Sequence, residues 1–304
     1  MESSRATVCY RHPDRPTGVG CQRCGRPICP ACMTQASVGY HCPECLKAHG
    51  QRSPTVASLR NPIATKVLIG LNVGVYVLVA VAGGAQGLWE LPGSELADRL
   101  VLIGGFGSPL GNGQYVQVPG LGVAEGEWWR LITGGFLHAG ILHLGMNMLL
   151  LWILGGMLEP VLGRLRFVAL YVASLLAGSM GVMLIEPTAA TVGASGAIFG
   201  LMGAAVALQR SRGINPWQSG LGGLILINVL ITFGVPGISV GGHPGGLVGG
   251  LVAGLAVFEV ERRTDSDWAA VGVCAALTVA YTGVALWAAQ QWAEPVLGFL
   301  SFWN

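Results

Sequence analysis

Charge is what this sequence has least of. Of its 304 residues, 17 are Lys or Arg and 15 are Asp or Glu, together 11%, against 52% hydrophobic residues. Soluble chains carry roughly 25% charge, so an ordinary soluble domain is excluded. The net charge of +2 offers no electrostatic footprint for a nucleic-acid partner. Whole stretches contain no Asp, Glu, Lys or Arg: 67–89, 131–158, 167–185, 187–209, 213–258 and 268–293. A helix needs about 20 apolar residues to cross a bilayer. Five of these runs fit one crossing each, and 213–258 fits two, broken near Pro236-Gly237. Seven transmembrane helices are therefore expected. The runs also lack the mid-membrane acidic or paired charges that a transporter or channel would use. An early apolar stretch is missing too, since Met1 leads into largely polar sequence, so no signal peptide is expected. Cysteine is absent beyond residue 50, with the exception of Cys274.

Glycine, by contrast, is abundant, with 48 residues lying largely inside the apolar runs. In a bilayer, small residues let helices approach closely, so a tightly packed bundle is expected. The sparse positive charges are distributed unevenly. Lys47, Arg52, Arg60, Lys66, Arg164, Arg166, Arg210, Arg212, Arg262 and Arg263 fall on one side of the bundle, and Arg99 and Arg130 on the other. The positive-inside bias then puts the N-terminus in the cytoplasm and the C-terminus outside. Residues 90–129 become a long outer loop, rich in Gly and Pro, that can hold short interfacial helices. Trp128-Trp129 with Arg130 suit a segment resting at headgroup level. An aromatic tail with Trp292, Phe299 and Trp303 suits the outer interface as well.

The first 50 residues hold four pairs of candidate metal ligands: Cys9 and His12, Cys21 and Cys24, Cys29 and Cys32, Cys42 and Cys45. A two-residue gap repeated in every pair suits thiolate knuckles, and eight ligands make two tetrahedral zinc sites. The cytoplasmic placement argues against disulfides or redox use. A module this short cannot bury an adequate core, so metal would supply its folding energy. Full four-ligand shells make such zincs structural. The spacing resembles cross-braced fingers such as the B-box, in which pairs one and three hold one ion and pairs two and four the other. A sequential pairing stays open, as does replacement of a cysteine by His41 or His49.

Polar residues inside transmembrane helices are costly, so each needs a purpose or a partner. Outside the N-terminal module the histidines are His138, His143 and His243, all at the outer ends of the second and sixth expected helices. Ser195, in Gly193-Ala194-Ser195-Gly196, opens the fourth helix at similar depth. A serine hydroxyl needs a base to take its proton, and neutral imidazole can do this and later return the proton to a leaving amine. His243 shares a helix face with Gly246 and Gly250, and Gly196 and Gly200 give the fourth helix a matching one. Close backbones let the short Ser and His side chains meet. His143 and Asn147, at i and i+4, face one way and can donate hydrogen bonds, so with the Ser195 N–H they could form an oxyanion hole.

Taken in order, Glu127-Trp128-Trp129-Arg130, Phe136-Leu137-His138-Ala139-Gly140, His143-x3-Asn147, Gly193-Ala194-Ser195-Gly196 and His243 with Gly246 and Gly250 resemble the motifs of the rhomboid intramembrane serine proteases. The resemblance covers roughly residues 62–260. It implies a catalytic dyad of Ser195 and His243 with no acidic third member and no catalytic cofactor. It further implies oxyanion stabilisation by His143 and Asn147, a first loop braced by Arg130, and a structural role for His138. Here Pro244 directly follows the base, which a helix's first turn tolerates.

The fold expected is all-α and polytopic, with a rhomboid-like six-helix core, a seventh C-terminal transmembrane helix and a small N-terminal zinc-binding domain. The divisions are 1–50 for the cytoplasmic zinc module, 51–61 for a linker, 62–260 for the catalytic core, and 261–304 for the seventh helix and outer tail. The seventh helix and the zinc module lie outside the shared core. The implied substrates are single-pass membrane proteins, cleaved near the outer face of the plasma membrane at a segment that unwinds easily. A cytoplasmic partner for the zinc module is a further expectation. The rival reading is a catalytically inactive rhomboid-like binding factor, a class that usually lacks the Ser or the His.

Overall fold

A computed structural model describes residues 7–35, 39–48, 62–83, 94–109, 115–118, 121–264 and 266–293. His49 and the aromatic tail beyond residue 293 lie outside these, as does the linker 51–61. The N-terminal module is built from two small hairpins, β1 (Val8–Cys9) with β2 (His12–Pro16) and β3 (Thr34–Gln35) with β4 (Tyr40–His41), followed by α1 (Pro43–Ala48). Its interior is Ile28 surrounded by cysteines. So small an apolar centre agrees with the expectation that metal ligation carries the fold.

The membrane part begins with α2 (Ile63–Gly83). The following loop holds α3 (Glu95–Leu100), a hairpin of β5 (Phe106–Pro109) and β6 (Tyr115–Val118), and a single turn of helix, α4 (Arg130–Thr133). Thus the loop contains the short helix expected of it and also a hairpin. Then follow α5 (Ile141–Leu162), α6 (Arg164–Ile185), α7 (Ser195–Ser211), α8 (Leu221–Gly234), α9 (Gly242–Arg263) and α10 (Asp267–Ala293). Among the described residues, α2, α5, α6, α9 and α10 are long and apolar enough to span a bilayer. The membrane part is a bundle of helices, and the chain is a multi-pass membrane protein. Exposed Val81, Leu142, Phe233 and Val279 give its outside an apolar surface suited to lipid.

α6, α7 and α9 form the centre of the bundle, with α2, α5, α8 and α10 around them. α7 lies against α9 with backbone on backbone. A β-carbon built on Gly246 would sit 2.0 Å from Gly196 O, and one on Gly250 would sit 2.1 Å from Gly200 O. No side chain fits there, which is why both helices carry glycine at four-residue spacing. α10 packs on α6 and α9, where the Tyr281 hydroxyl donates to Gly249 O at 3.0 Å.

The few acidic residues at the ends of the apolar runs hold helix starts, whose first N–H groups have no partner within the helix. Buried Glu159, at the end of α5, accepts from Ala64 N (2.9 Å), Thr65 N (2.8 Å) and Thr65 Oγ1 (2.7 Å) and so anchors the start of α2. Glu186, after α6, accepts from Gly241 N at 3.0 Å and from the Ser239 hydroxyl, fixing the start of α9. At the opposite end of the bundle, Arg166 pairs with Glu261 and lies 3.6 Å from Asp267, which joins α6 to α9 and α10.

Two helices are shorter than the apolar runs that contain them. α7 has 17 residues and α8 has 14. Residues 187–194 are as apolar as a helix, yet they are drawn out by a bridge between Leu102 and Thr191. A helix of 17 residues rises about 25 Å, short of the ~30 Å hydrocarbon core. With Arg210 and Arg212 at one interface, Ser195 at the other end of α7 is recessed below the opposite one.

Candidate active site

Ser195 is the first residue of α7, and His243 is the second residue of α9. The glycine seam below them brings the two helix starts together, and His243 Nε2 lies 2.8 Å from Ser195 Oγ. The imidazole is buried between α7 and α8. Phe199, one turn after Ser195, stacks on it at 4.1 Å between centroids with planes 15° apart. Its other nitrogen, Nδ1, lies 2.7 Å from Thr232 Oγ1 on α8.

His143 reaches the same place from α5. Ala139 N–H donates to its Nδ1 at 3.2 Å, so the neutral ring carries its proton on Nε2. Nε2 faces a space kept open by Gly193. A β-carbon built on that glycine would lie 2.8 Å from His143 Nε2 and 3.6 Å from Ser195 Oγ, and its φ of +121° excludes ordinary side chains as well. An atom bound in that space has a hydrogen-bond donor on one side and the serine oxygen on the other. Asn147, one turn further along α5, donates one amide hydrogen to His143 O at 2.9 Å and keeps a second. The Ser195 N–H belongs to the unpartnered first turn of α7. A small cavity lined by Gly135, Gly178, Ser179, Gly193 and Gly196 opens beside Ser195.

Arg130 is fully buried at a distance from this centre. It donates to Glu127 at 2.7 Å and to the carbonyls of Asp98 (2.6 Å) and Val101 (2.8 Å), which lie at the end of α3 and lack helix partners. Burial raises the Glu127 carboxyl, but the Gly122 N–H and Arg130 outweigh it and hold it below the usual carboxylate range. From Val101 the chain runs directly to Leu102, which pairs with Thr191, and Gly193 N donates to Gly134 O at 2.9 Å. Arg130 therefore shapes the strand-like segment that delivers Ser195. His138 is buried and meets His143 edge-on at 5.1 Å between centroids.

In the N-terminal module the ligand pairs fall into two groups. Cys9, His12, Cys29 and Cys32 form one, and Cys21, Cys24, Cys42 and Cys45 the other, each with its ligand atoms within 4.8 Å of one another. Pair one joins pair three, and pair two joins pair four. His41 belongs to neither group. Tetrahedral zinc with bonds of about 2.3 Å sets its ligands about 3.8 Å apart. The observed separations are 3.8 Å for Cys9 Sγ to His12 Nδ1, 3.4 Å for Cys29 and for Cys32 to the same nitrogen, and 3.6 Å for Cys24 to Cys42. Burial, with Cys9 and Cys29 beside it, pushes the Cys32 thiol up to about 11, while Cys42, and then burial, push Cys45 up to about 12. Thiols this crowded do not all ionise without a cation among them. Both groups fit a metal ion.

Of the residues singled out in the membrane part of the sequence, His243 and His143 lie at Ser195, Asn147 is one turn further along α5, His138 packs on His143, and Arg130 stands apart. Two that touch the imidazole, Phe199 and Thr232, were not singled out. Phe199 stands four residues after Ser195, on the same helix face. Thr232 is a polar residue in an otherwise apolar run, the kind of signal that marked the histidines.

An all-helical membrane bundle with a hydrogen-bonded Ser–His pair recessed in its interior defines a narrow class of protein. The family model for the Rhomboid domain matches residues 125–260, so the chain carries a rhomboid domain. It is 34% identical over 205 residues to the rhomboid protease GluP of Bacillus subtilis, covering 66% of this chain and 36% of that one. It is 50% identical over 84 residues to RHOMBOID-like protein 5 of Arabidopsis thaliana, covering 27% of each chain. To Rhomboid-related protein 3 of Homo sapiens it is 44% identical over 79 residues, 26% of this chain and 20% of that one. The chain thus spans well under half the length of these relatives.

Proposed function

We propose that the chain is an intramembrane serine protease that cleaves single-pass membrane proteins near the outer face of the membrane. The observation that carries this reading is the 2.8 Å contact between His243 Nε2 and Ser195 Oγ beside the space kept by Gly193. In the reaction, His243 Nε2 takes the Ser195 proton as Oγ attacks the scissile carbonyl carbon. The resulting oxyanion lies towards His143 Nε2–H, the free Asn147 amide hydrogen and the Ser195 N–H. When the C–N bond breaks, His243 returns its proton to the leaving amine. Water, deprotonated by the same nitrogen, then releases the acyl group and restores Ser195. A helical substrate hides its carbonyls in its own hydrogen bonds, so the segment must unwind first. The small cavity beside Ser195 suits a small side chain next to the cleaved bond. Retention of both Ser195 and His243 speaks against the inactive-binder reading.

In the same reading the protein lies in the plasma membrane with its N-terminus in the cytoplasm. The two ligand groups hold structural zinc, and the module recruits a cytoplasmic partner or the inner tail of a substrate. Residues 62–260 form the catalytic unit. The test of the chemistry is covalent labelling by a fluorophosphonate probe. The purified chain should label, and Ser195→Ala and His243→Ala should each reduce labelling to background. Labelling that survives Ser195→Ala would refute the assignment.

A further inference from the structure

We infer that Thr232 on α8 is a positioning residue for the base, fixing which nitrogen of His243 carries the proton. This inference rests on the dyad proposed above. A base that deprotonates Ser195 must present a bare Nε2, so its single proton must sit on Nδ1. Stacking on Phe199 fixes the plane of the ring but cannot do this, because an aromatic face does not distinguish the tautomers. The directional contact is Thr232 Oγ1, 2.7 Å from Nδ1. A hydroxyl has one proton to give. That of Thr232 lies 2.8 Å from Asn228 O, one turn back on α8, the usual local bond of a helical threonine. With its proton so directed, Oγ1 faces Nδ1 as an acceptor. The hydrogen bonds then run one way, from Ser195 O–H to Nε2, from Nδ1–H to Thr232 Oγ1, and from Thr232 O–H to the α8 backbone.

The setting of Thr232 supports this role. α8 buries only Leu221, Gly222 and Thr232, the first two at its start. Its neighbours Leu230, Ile231 and Phe233 face outward, while Thr232 is 2% exposed. Near this end of α8 the side chain buried against the bundle is therefore a polar one, and its contact is the catalytic ring. An isosteric Val would pack equally well and remove only the acceptor.

The test uses the full chain in detergent, with Thr232→Val and Thr232→Ser compared by kcat and KM on a transmembrane peptide and by fluorophosphonate labelling rate. Thr232→Val should lower kcat and labelling by about 10–10²-fold, the scale of a misplaced catalytic group, with KM little changed. Thr232→Ser should stay near the parent. An unaffected Thr232→Val, or a Ser variant as impaired as the Val one, would overturn the inference. Nitrogen-15 NMR of the parent reads the tautomer without any substitution in α8, His243 being assigned by the signal lost in His243→Gln. Protonated Nδ1 with bare Nε2 is expected, and the reverse tautomer refutes the role. A parent protein that never labels would sink the dyad instead, while the NMR result would still decide the tautomer.

Discussion

At the residue scale, the three proposed oxyanion donors differ in how firmly they are held. The Ser195 N–H is fixed by the backbone, and His143 is oriented by Ala139 N–H and met edge-on by His138. Asn147 is secured through one of its own amide hydrogens, which leaves one for the substrate. Replacing it by Ala should therefore lower kcat by about 10–10³-fold, the range for one donor of an oxyanion hole, with little change in KM. Steady-state kinetics on a transmembrane peptide checks this, and an unchanged kcat would remove Asn147 from the hole. Ser195, His243, His143 and Asn147 could be picked out as candidates in the sequence because each is a polar residue in an apolar run at related depth, and Ser195 and His243 have glycine beside them. Thr232 was equally polar, but nothing local shows that α8 returns to the far side of His243. That contact spans the 236–241 turn and exists only in three dimensions.

At the element scale the site depends on the seam between α7 and α9. Gly246 meets Gly196 O where a β-carbon would sit 2.0 Å away, and neither partner is a side chain that could rotate aside. Gly246→Ala must separate the helices. Overpacking of this kind costs about 1–3 kcal/mol, and an ångström of displacement between Ser195 and His243 costs on the order of 10²-fold in rate. Gly74→Ala, on a face of α2 with nothing within 4 Å, should leave both stability and labelling near the parent. Thermal unfolding in detergent together with probe labelling checks the pair, and equal behaviour of the two variants would contradict a tight seam. The seam was readable because glycines at four-residue spacing mark a helix face. The break between α8 and α9 was readable from Pro236-Gly237. The true lengths of α7 and α8 were not. Residues 187–194 lack charge like any span, and only the distant pairing of Leu102 with Thr191 draws them out of the helix. The hairpin β5–β6 was hidden for the same reason, since it sits in a loop whose composition signals turns and not register.

At the scale of the whole molecule, two parts with different chemistry share one chain. The cysteine module was legible as four pairs, but the sequence left cross-braced and sequential pairings open, and the structure groups pair one with three and pair two with four. Use of the His12 Nδ1 atom came from the structure. Metal analysis of the purified chain should find two zinc ions per molecule, and Cys29→Ser should reduce that to about one. A metal-free chain whose module stays folded would contradict the assignment. In the proposed reading the zinc is structural, so its removal by a chelator should leave labelling of Ser195 unchanged.

The central claim, that the recessed Ser195–His243 pair cuts peptide bonds of membrane-spanning segments, is tested most directly by reconstitution. The full chain would be placed in lipid vesicles with a single-pass protein whose transmembrane segment contains small and helix-breaking residues, and the products sized by mass spectrometry. The account predicts one cut near the outer end of that segment, absent with Ser195→Ala and with His243→Ala. Cleavage that persists in either variant, or a parent protein that leaves every such segment intact while labelling normally, would contradict it.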